Sequence, residues 1–155
     1  MRRAAAYTVI FFFAAPAVMA WLVPWLITGF DRASVPWGAL DVLGVVLAVL
    51  GLAAVLECFV RFVREGVGTP APVAPTEFLV QGGLYRHLRN PMYVAVIAVI
   101  LGQAAMLGRP VLLVYAAIFW LVVASFVRVY EEPTLSRRYG EQYDAYRRSV
   151  RGWWP

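Results

Sequence analysis

The stretch Gln81–Tyr93, QGGLYRHLRNPMY, is the polar segment around which the rest of this chain is arranged. It contains two adjacent glycines, two arginines and the chain's single histidine, and its Asn-Pro pair opens a long apolar run. Asparagine followed by proline is a typical helix start, because asparagine caps the first turn and proline fits its first position. We therefore predict that a membrane helix begins at Pro91, directly after a polar loop.

The composition is that of an integral membrane protein. The 155 residues are 62% hydrophobic, and their mean hydropathy of +0.70 lies well above that of ordinary soluble domains. The length is that of one domain. The net charge is +5, and every basic residue is an arginine. Because these arginines flank apolar runs, they indicate membrane topology, and we predict no nucleic acid partner.

We predict a single all-α domain with four transmembrane helices. The predicted spans cover residues 7–27, 40–62, 91–107 and 111–129. Between the second and third spans we expect a Gly/Pro-rich linker at 66–75, followed by a re-entrant-like cytosolic loop. An apolar stripe over about 132–150 predicts an amphipathic C-terminal helix in the membrane interface. Gly140 weakens that helix and is a candidate break.

The arginines also predict which side of the membrane each loop faces. In the four-span arrangement only Arg32 and Arg109 fall on one side, and all other arginines fall on the opposite side. By the positive-inside rule, both termini and the central polar stretch face the cytoplasm, and we expect the membrane to be the bacterial inner membrane. In the second span, Glu57, Arg61 and Glu65 are spaced for pairing along one helix face.

The predicted hairpin of the third and fourth spans brings two polar groups together. Asn90-Pro91 lies at one open end of the hairpin, and residues 128–132 lie at the other. A helix start offers unpaired backbone N–H groups and a positive dipole end, which favour an anion such as a carboxylate. Glu131 and Glu132 supply acceptors for an ammonium group or for ribose hydroxyls. We therefore predict a ligand site between these two groups at the membrane surface.

Glycines and tyrosines complete the predicted site. Gly82 and Gly83 allow a ligand to approach the backbone closely, and tyrosine rings can hold a cation such as a sulfonium. The tyrosines concerned are Tyr85, Tyr93 and Tyr143. A ligand with a carboxylate, an ammonium, a ribose and a positive centre fits this inventory, and S-adenosylmethionine is such a ligand. His87 has no second histidine to accompany it, so we predict no metal site.

Taken one at a time, these residues also have purely structural explanations. Arg86 satisfies the positive-inside rule, Asn90 caps a helix, and the Glu131-Glu132 pair complements the start of the tail helix. Tyr139 and Tyr146 are expected to pack on lipid or on the helix bundle. Only the combination of residues indicates a ligand.

The ordered motifs resemble a known superfamily of membrane enzymes. They are Gly83-Leu84-Tyr85, Arg89-Asn90-Pro91-Met92-Tyr93, Glu131-Glu132 with Leu135, and Tyr139-Gly140 with Tyr143. Each motif alone is weak, but the set in this order resembles the isoprenylcysteine carboxyl methyltransferase and phospholipid methyltransferase superfamily. The resemblance covers the C-terminal half of the chain. It implies an integral membrane enzyme that binds S-adenosylmethionine at the cytosolic face without a Rossmann domain.

The resemblance and the inventory together give the predicted site residues. The predicted cofactor-binding residues are Gly83, Tyr85, His87, Arg89, Asn90, Pro91, Tyr93, Glu131, Glu132 and Tyr143. The predicted catalytic residues are Arg128, Glu132 and Tyr93. Asn90 stands where the eukaryotic carboxyl methyltransferases have histidine. Arg128 is the arginine nearest the place where those enzymes bind a substrate carboxylate.

These observations predict methyl transfer from S-adenosylmethionine, leaving S-adenosylhomocysteine, to a lipid or other hydrophobic small molecule. The sequence leaves open whether the acceptor is a carboxylate, an amine or a thiol. Two alternatives stay open as well: an NADPH-dependent membrane reductase of the sterol-reductase type, and a non-enzymatic membrane scaffold. Expected partners are membrane lipids, the hydrophobic substrate and a second copy of the chain.

Overall fold

The computed structural model describes residues 13–34, 38–66 and 77–153, and all regular elements within these ranges are helical. The start of the first predicted span, residues 7–12, lies outside the described residues, as does most of the linker predicted at 66–75. The expectations for those two segments stay predictions.

Six helices and two short turns form the described chain. The first, α1, has a π-helical part, Phe13–Leu22, that continues as an α-helical part, Val23–Thr28. Helix α2 is Ala39–Arg64, α3 is Pro91–Leu107 and α4 is Val111–Phe126. A π-helical turn, Val127–Glu131, joins α4 to α5, Glu132–Tyr139, and α6 is Glu141–Ser149. A 3₁₀ turn, Gly83–Arg86, precedes α3.

Within the described residues, two helices are long and apolar enough to cross a membrane. They are Ala39–Arg64 and the uninterrupted helix Val111–Tyr139, which contains α4 and α5. Ala15–Thr28 and Pro91–Leu107 are apolar but shorter. Helix α2 also presents a lipid-compatible face, with side chains such as Leu43 and Leu50 about 60% exposed. The all-helical prediction is confirmed for the described residues, while the number of four spans stays a prediction.

The tail helix predicted from about residue 132 begins at Glu132, as α5. No break separates the fourth predicted span from the tail, because the π-helical turn Val127–Glu131 carries the helix onward to Tyr139. This turn ends two residues before Pro133, whose missing N–H cannot make the normal α-helical hydrogen bond. The break comes at Gly140 instead, where φ is +53° and the chain turns into α6. The prediction of Gly140 as a break is therefore confirmed.

Helices α2 and α3 pack along each other with almost no space between their backbones. A Cβ added at Gly102 would lie 2.6 Å from the carbonyl oxygen of Gly44, and one at Gly51 would lie 2.8 Å from that of Ala95. Any side chain there would push the two helices apart. This close contact fixes the start of α3 relative to the polar end of α2.

The start of α3 differs from the prediction in the role of Asn90. Asn90 is the N-cap residue, and Pro91 follows at the first helical position, as predicted, but the Asn90 side chain makes no capping hydrogen bond. Its Nδ2 instead donates to the carbonyl oxygen of Gly152 at 3.0 Å, and its backbone N–H donates to the same oxygen at 3.2 Å. Arg89 N–H donates to Arg151 O at 2.8 Å. The C-terminal segment therefore lies against the central polar stretch.

Candidate functional site

A cavity of about 530 Å³ lies between α1, α3, the α4–α5 helix, α6 and the 3₁₀ turn. This volume is typical of sites for small-molecule ligands and cofactors. One end of its lining is polar, with Arg89, Asn90, Tyr93, Glu131, Glu132 and Tyr143. The other end, which we call the apolar arm, is lined by Pro16, Met19, Val96, Phe119, Val123 and Phe126. The two polar groups predicted to meet across the hairpin do line the same space.

An ion pair joins the two sides of the polar end. Arg89 Nη1 donates to Glu132 Oε1 at 2.6 Å, and both side chains are only 15% exposed. Glu132 Oε2 also lies 3.4 Å from Nη2 of the more exposed Arg147. Arg89 Nε is buried and has no hydrogen-bond acceptor among the described residues. A buried donor without an acceptor is costly, so this atom is a natural contact for a ligand oxygen.

The second contact across the polar end joins Tyr93 and Glu131. The Tyr93 hydroxyl donates to Glu131 Oε2 at 3.0 Å. The ring centroid of Tyr93 lies 6.2 Å from that of Trp153, whose own ring lies 6.5 Å from that of Trp120 on α4. Trp153 therefore packs against the ring of Tyr93. The two glutamates differ in surroundings, because Glu131 meets a neutral phenol whereas Glu132 meets two guanidinium groups.

The tyrosines of the 3₁₀ turn and of α6 line the polar end of the cavity. The Tyr146 hydroxyl donates to the carbonyl oxygen of Tyr85 at 2.6 Å. Burial is the main reason that the pKa values of Tyr85, Tyr143 and Tyr146 are raised above the usual value for tyrosine. These phenols therefore stay protonated at neutral pH and can donate hydrogen bonds, but they are poor proton acceptors.

Not every predicted site residue lines the cavity. Gly83 and His87 lie at a separate shallow depression beside Glu57 and Arg61. Pro91 is buried at the start of α3 but is not part of the lining, and Arg128 is exposed and also outside it. The predicted residues that do line the cavity are Tyr85, Arg89, Asn90, Tyr93, Glu131, Glu132 and Tyr143. The ligand-binding and catalytic roles of all of them stay predictions.

The two glycines meet the end of α2 and not the cavity, which corrects the expectation that they make room for a ligand. The Gly82 N–H donates to Glu65 Oε2 at 2.9 Å. Gly83 has φ +56°, a conformation that favours glycine, and a Cβ there would collide with the side chains of Glu57 and Arg61. Arg61 bridges Glu57 at 2.8 Å and Glu65 at 2.6 Å, so the predicted helix-face pairs are confirmed. The hydrogen bond from Arg61 lowers the pKa of Glu65.

Sequence reasoning missed Arg138, which lines the cavity. Its guanidinium carbon lies 5.7 Å from the centroid of the Tyr139 ring. Leu135 and Arg138 follow Glu131 at helical spacings of four and seven, which place all three on one helix face. The signal was present in the sequence, but it appears only when the helix is continued through Pro133.

Fold and cavity together define a class of protein. The described part of the chain is helical and includes two helices that could cross a membrane, and the cavity combines a charged end with an apolar arm. Such a cavity suits an amphipathic ligand, or a polar ligand beside an apolar one. These features are typical of a membrane-associated protein with a cavity that suits such ligands.

The family model of phospholipid methyltransferases matches residues 40–142, from α2 into α6. The match covers more than half of the chain, so this chain belongs to the phospholipid methyltransferase family, which is a family of membrane methyltransferases acting on lipid-type acceptors. Both charged sides of the cavity fall within the matched residues, whereas α1 lies outside them. Comparisons with curated proteins and with solved structures gave no match.

Proposed function

We propose that this protein transfers a methyl group from S-adenosylmethionine to a lipid or other hydrophobic small molecule at the cytosolic membrane face. The observation that carries the proposal is the shared cavity, in which the start of α3 and the pair Glu131 and Glu132 form one polar end next to an apolar arm. The cofactor would occupy the polar end, and the acceptor's apolar part would occupy the arm. The cytosolic orientation follows from the distribution of arginines.

The residues of the polar end fit S-adenosylmethionine. The buried Nε of Arg89 needs an acceptor, and the ligand's carboxylate would supply one. Glu131 and Glu132 would accept hydrogen bonds from ribose hydroxyls or from the ammonium group. The ring of Tyr93 offers an aromatic face to a positive centre. The cavity volume of about 530 Å³ is sufficient for a nucleoside-sized ligand.

The bound cofactor would supply a methyl group activated by a positive sulfur, and the chain's own residues would position its partner. Holding the acceptor atom in line with the methyl group is worth up to about 7–11 kcal/mol in favourable intramolecular cases. The apolar arm excludes water next to the reacting atoms, which strengthens electrostatic interactions there. The rigid contacts of Arg89 with Glu132 and of Tyr93 with Glu131 hold both sides of the site in place.

A carboxylate acceptor would need no base, but an amine or a thiol must lose a proton. The phenols of Tyr85 and Tyr143 are not available as bases, because burial raises their pKa and keeps them protonated at neutral pH. Two guanidinium groups already occupy the oxygens of Glu132. Glu131 is the candidate proton acceptor, because its carboxylate is bonded to the neutral Tyr93 hydroxyl and not to a cation. An anionic group on the acceptor would be held by Arg138, with Arg128 as the alternative predicted from the sequence.

The proposal is tested by methyl transfer into lipids. Membranes containing the protein are incubated with methyl-labelled S-adenosylmethionine, and the lipid extract is analysed by mass spectrometry. We expect labelled lipid with the wild type and with Glu141→Ala, an exposed α6 control outside the cavity lining. We expect little or none with Glu131→Ala. Equal labelling in membranes without the protein, or conversion of a lipid that depends on NADPH instead, would contradict the proposal.

A further inference from the structure

Helix α1 contains a proline, Pro24, just after the point where its π-helical part gives way to its α-helical part. Proline has no N–H, so one backbone carbonyl in the preceding turn loses its helical donor. Two carbonyls of that turn accept hydrogen bonds from other helices: Gln103 Nε2 donates to Ala20 O at 2.6 Å, and the Tyr115 hydroxyl donates to Met19 O at 2.8 Å.

These two hydrogen bonds attach α1 to α3 and to α4. Gln103 is 4% exposed and lies within an otherwise apolar stretch of α3. A free carbonyl costs more in an apolar medium than in water, since no solvent can bond to it. Polar side chains between helices stabilise packing in such surroundings. The two bonds therefore define where α1 sits along and across the bundle.

The position of α1 shapes the apolar arm of the cavity. Pro16 and Met19 form its wall on α1, and Phe119 and Val123 form the wall on α4. From Glu131 to Phe119 the helix spans about 18 Å at 1.5 Å per residue. At the far end the arm closes, because Tyr115 bonds to the Met19 carbonyl and its ring lies 6.3 Å from that of Phe119.

The arm also has an exposed edge between the two helices. Met19 is 39% exposed on α1, and Phe126 is 43% exposed on α4, and both line the cavity. Apolar side chains that border a cavity and are exposed at the same time form an entrance for an apolar ligand. This edge would open sideways toward lipid.

We propose that the apolar arm is a channel for one apolar chain of the acceptor, with α1 as its selective wall. Gln103 and Tyr115 are positioning residues that hold this wall, and Met19 and Phe119 stop the end of the chain and so limit its length. This inference rests on the proposed function and deepens it. It is specific to this chain's α1, which lies outside the residues matched by the family model.

A photoreactive lipid tests the channel without any methyl transfer. The probe is a lysophospholipid with a diazirine at the end of its acyl chain, and a matched probe carries the diazirine next to the headgroup. In the wild type we expect the chain-end probe to label Met19 or Phe119, and the headgroup probe to label neither. Phe119→Trp should reduce chain-end labelling at Met19 at least about threefold, because the larger side chain shortens the arm.

Variants of the positioning residues complete the test. Gln103→Leu and Tyr115→Phe remove one donor each, and we expect chain-end labelling of Phe119 to fall about three- to tenfold, with unchanged affinity for S-adenosylhomocysteine. Gln142→Leu, exposed on α6, is the control that should change neither. Labelling confined to the lipid-facing side of α2 would overturn the channel even if S-adenosylhomocysteine binds. Arm labelling without S-adenosylhomocysteine binding would support the channel and contradict the proposed cofactor.

Discussion

The ion pair between Arg89 and Glu132 gives the most quantitative prediction, for the variant Glu132→Gln. The two atoms are 2.6 Å apart and both side chains are 15% exposed, so the pair is mostly buried. Removing one partner of a buried pair costs about 3–5 kcal/mol, whereas an exposed pair contributes about 0–1 kcal/mol. Because glutamine keeps the size and one acceptor oxygen, we expect a loss of about 2–3 kcal/mol. In a chain of this length, that lowers Tm by roughly 4–12 °C.

The assay is thermal unfolding of the purified protein in detergent, with Arg89→Gln and the double variant completing a double-mutant cycle. If the pair acts as a unit, the double variant should be more stable than the sum of the single losses predicts, by about 1–3 kcal/mol. Arg148→Gln, an exposed change on α6, is the control and should melt like the wild type. A fall in Tm under about 1 °C for Glu132→Gln, or additive losses, would refute the reasoning about a buried pair.

Three further predictions follow from the geometry of the site. Tyr93→Phe removes the donor to Glu131 and should weaken S-adenosylhomocysteine binding about tenfold, measured by calorimetry; unchanged affinity would count against a role of this contact in binding. Gly83→Ala forces a side chain into a φ of +56° and against α2, so it should lower Tm measurably, and a neutral result would show that the loop can shift freely. In initial-rate assays, Arg138→Ala should raise the KM for the lipid acceptor more than Arg128→Ala does, because Arg138 lines the cavity and Arg128 does not. The opposite order would favour Arg128, the arginine predicted from the sequence, as the residue that binds the acceptor.

The meeting of the start of α3 with the Glu131-Glu132 pair could be predicted from the sequence, because a tight turn between two apolar helices leaves their open ends side by side. That turn is real: Gly108 ends α3 with φ +62°. The helix boundaries near Pro133 were harder to predict, because a π-helical turn lets the helix continue through the proline. No local sequence pattern indicates such a turn. The resulting continuity is what brings Arg138 to the cavity.

Partners that come from distant segments could not be predicted. The amide of Asn90 looks like a cap from its neighbours along the chain, yet it donates to Gly152, which only the folded chain brings near. In the sequence, Gly83 suggests that a ligand can approach the backbone, but the space next to its Cα is occupied by the side chains of Glu57 and Arg61 of α2. Helix propensity and spacing describe neighbours within one element, whereas these contacts depend on how elements pack.

The most direct test of the central claim is a calorimetric titration of the purified protein with S-adenosylhomocysteine, the expected product of the reaction. We predict saturable binding at one site per chain, and strongly weakened binding in Tyr93→Ala and Glu132→Ala, which lie on opposite sides of the polar end. No heat from the folded wild type, or wild-type affinity in both variants, would contradict the claim that this cavity holds the methyl donor.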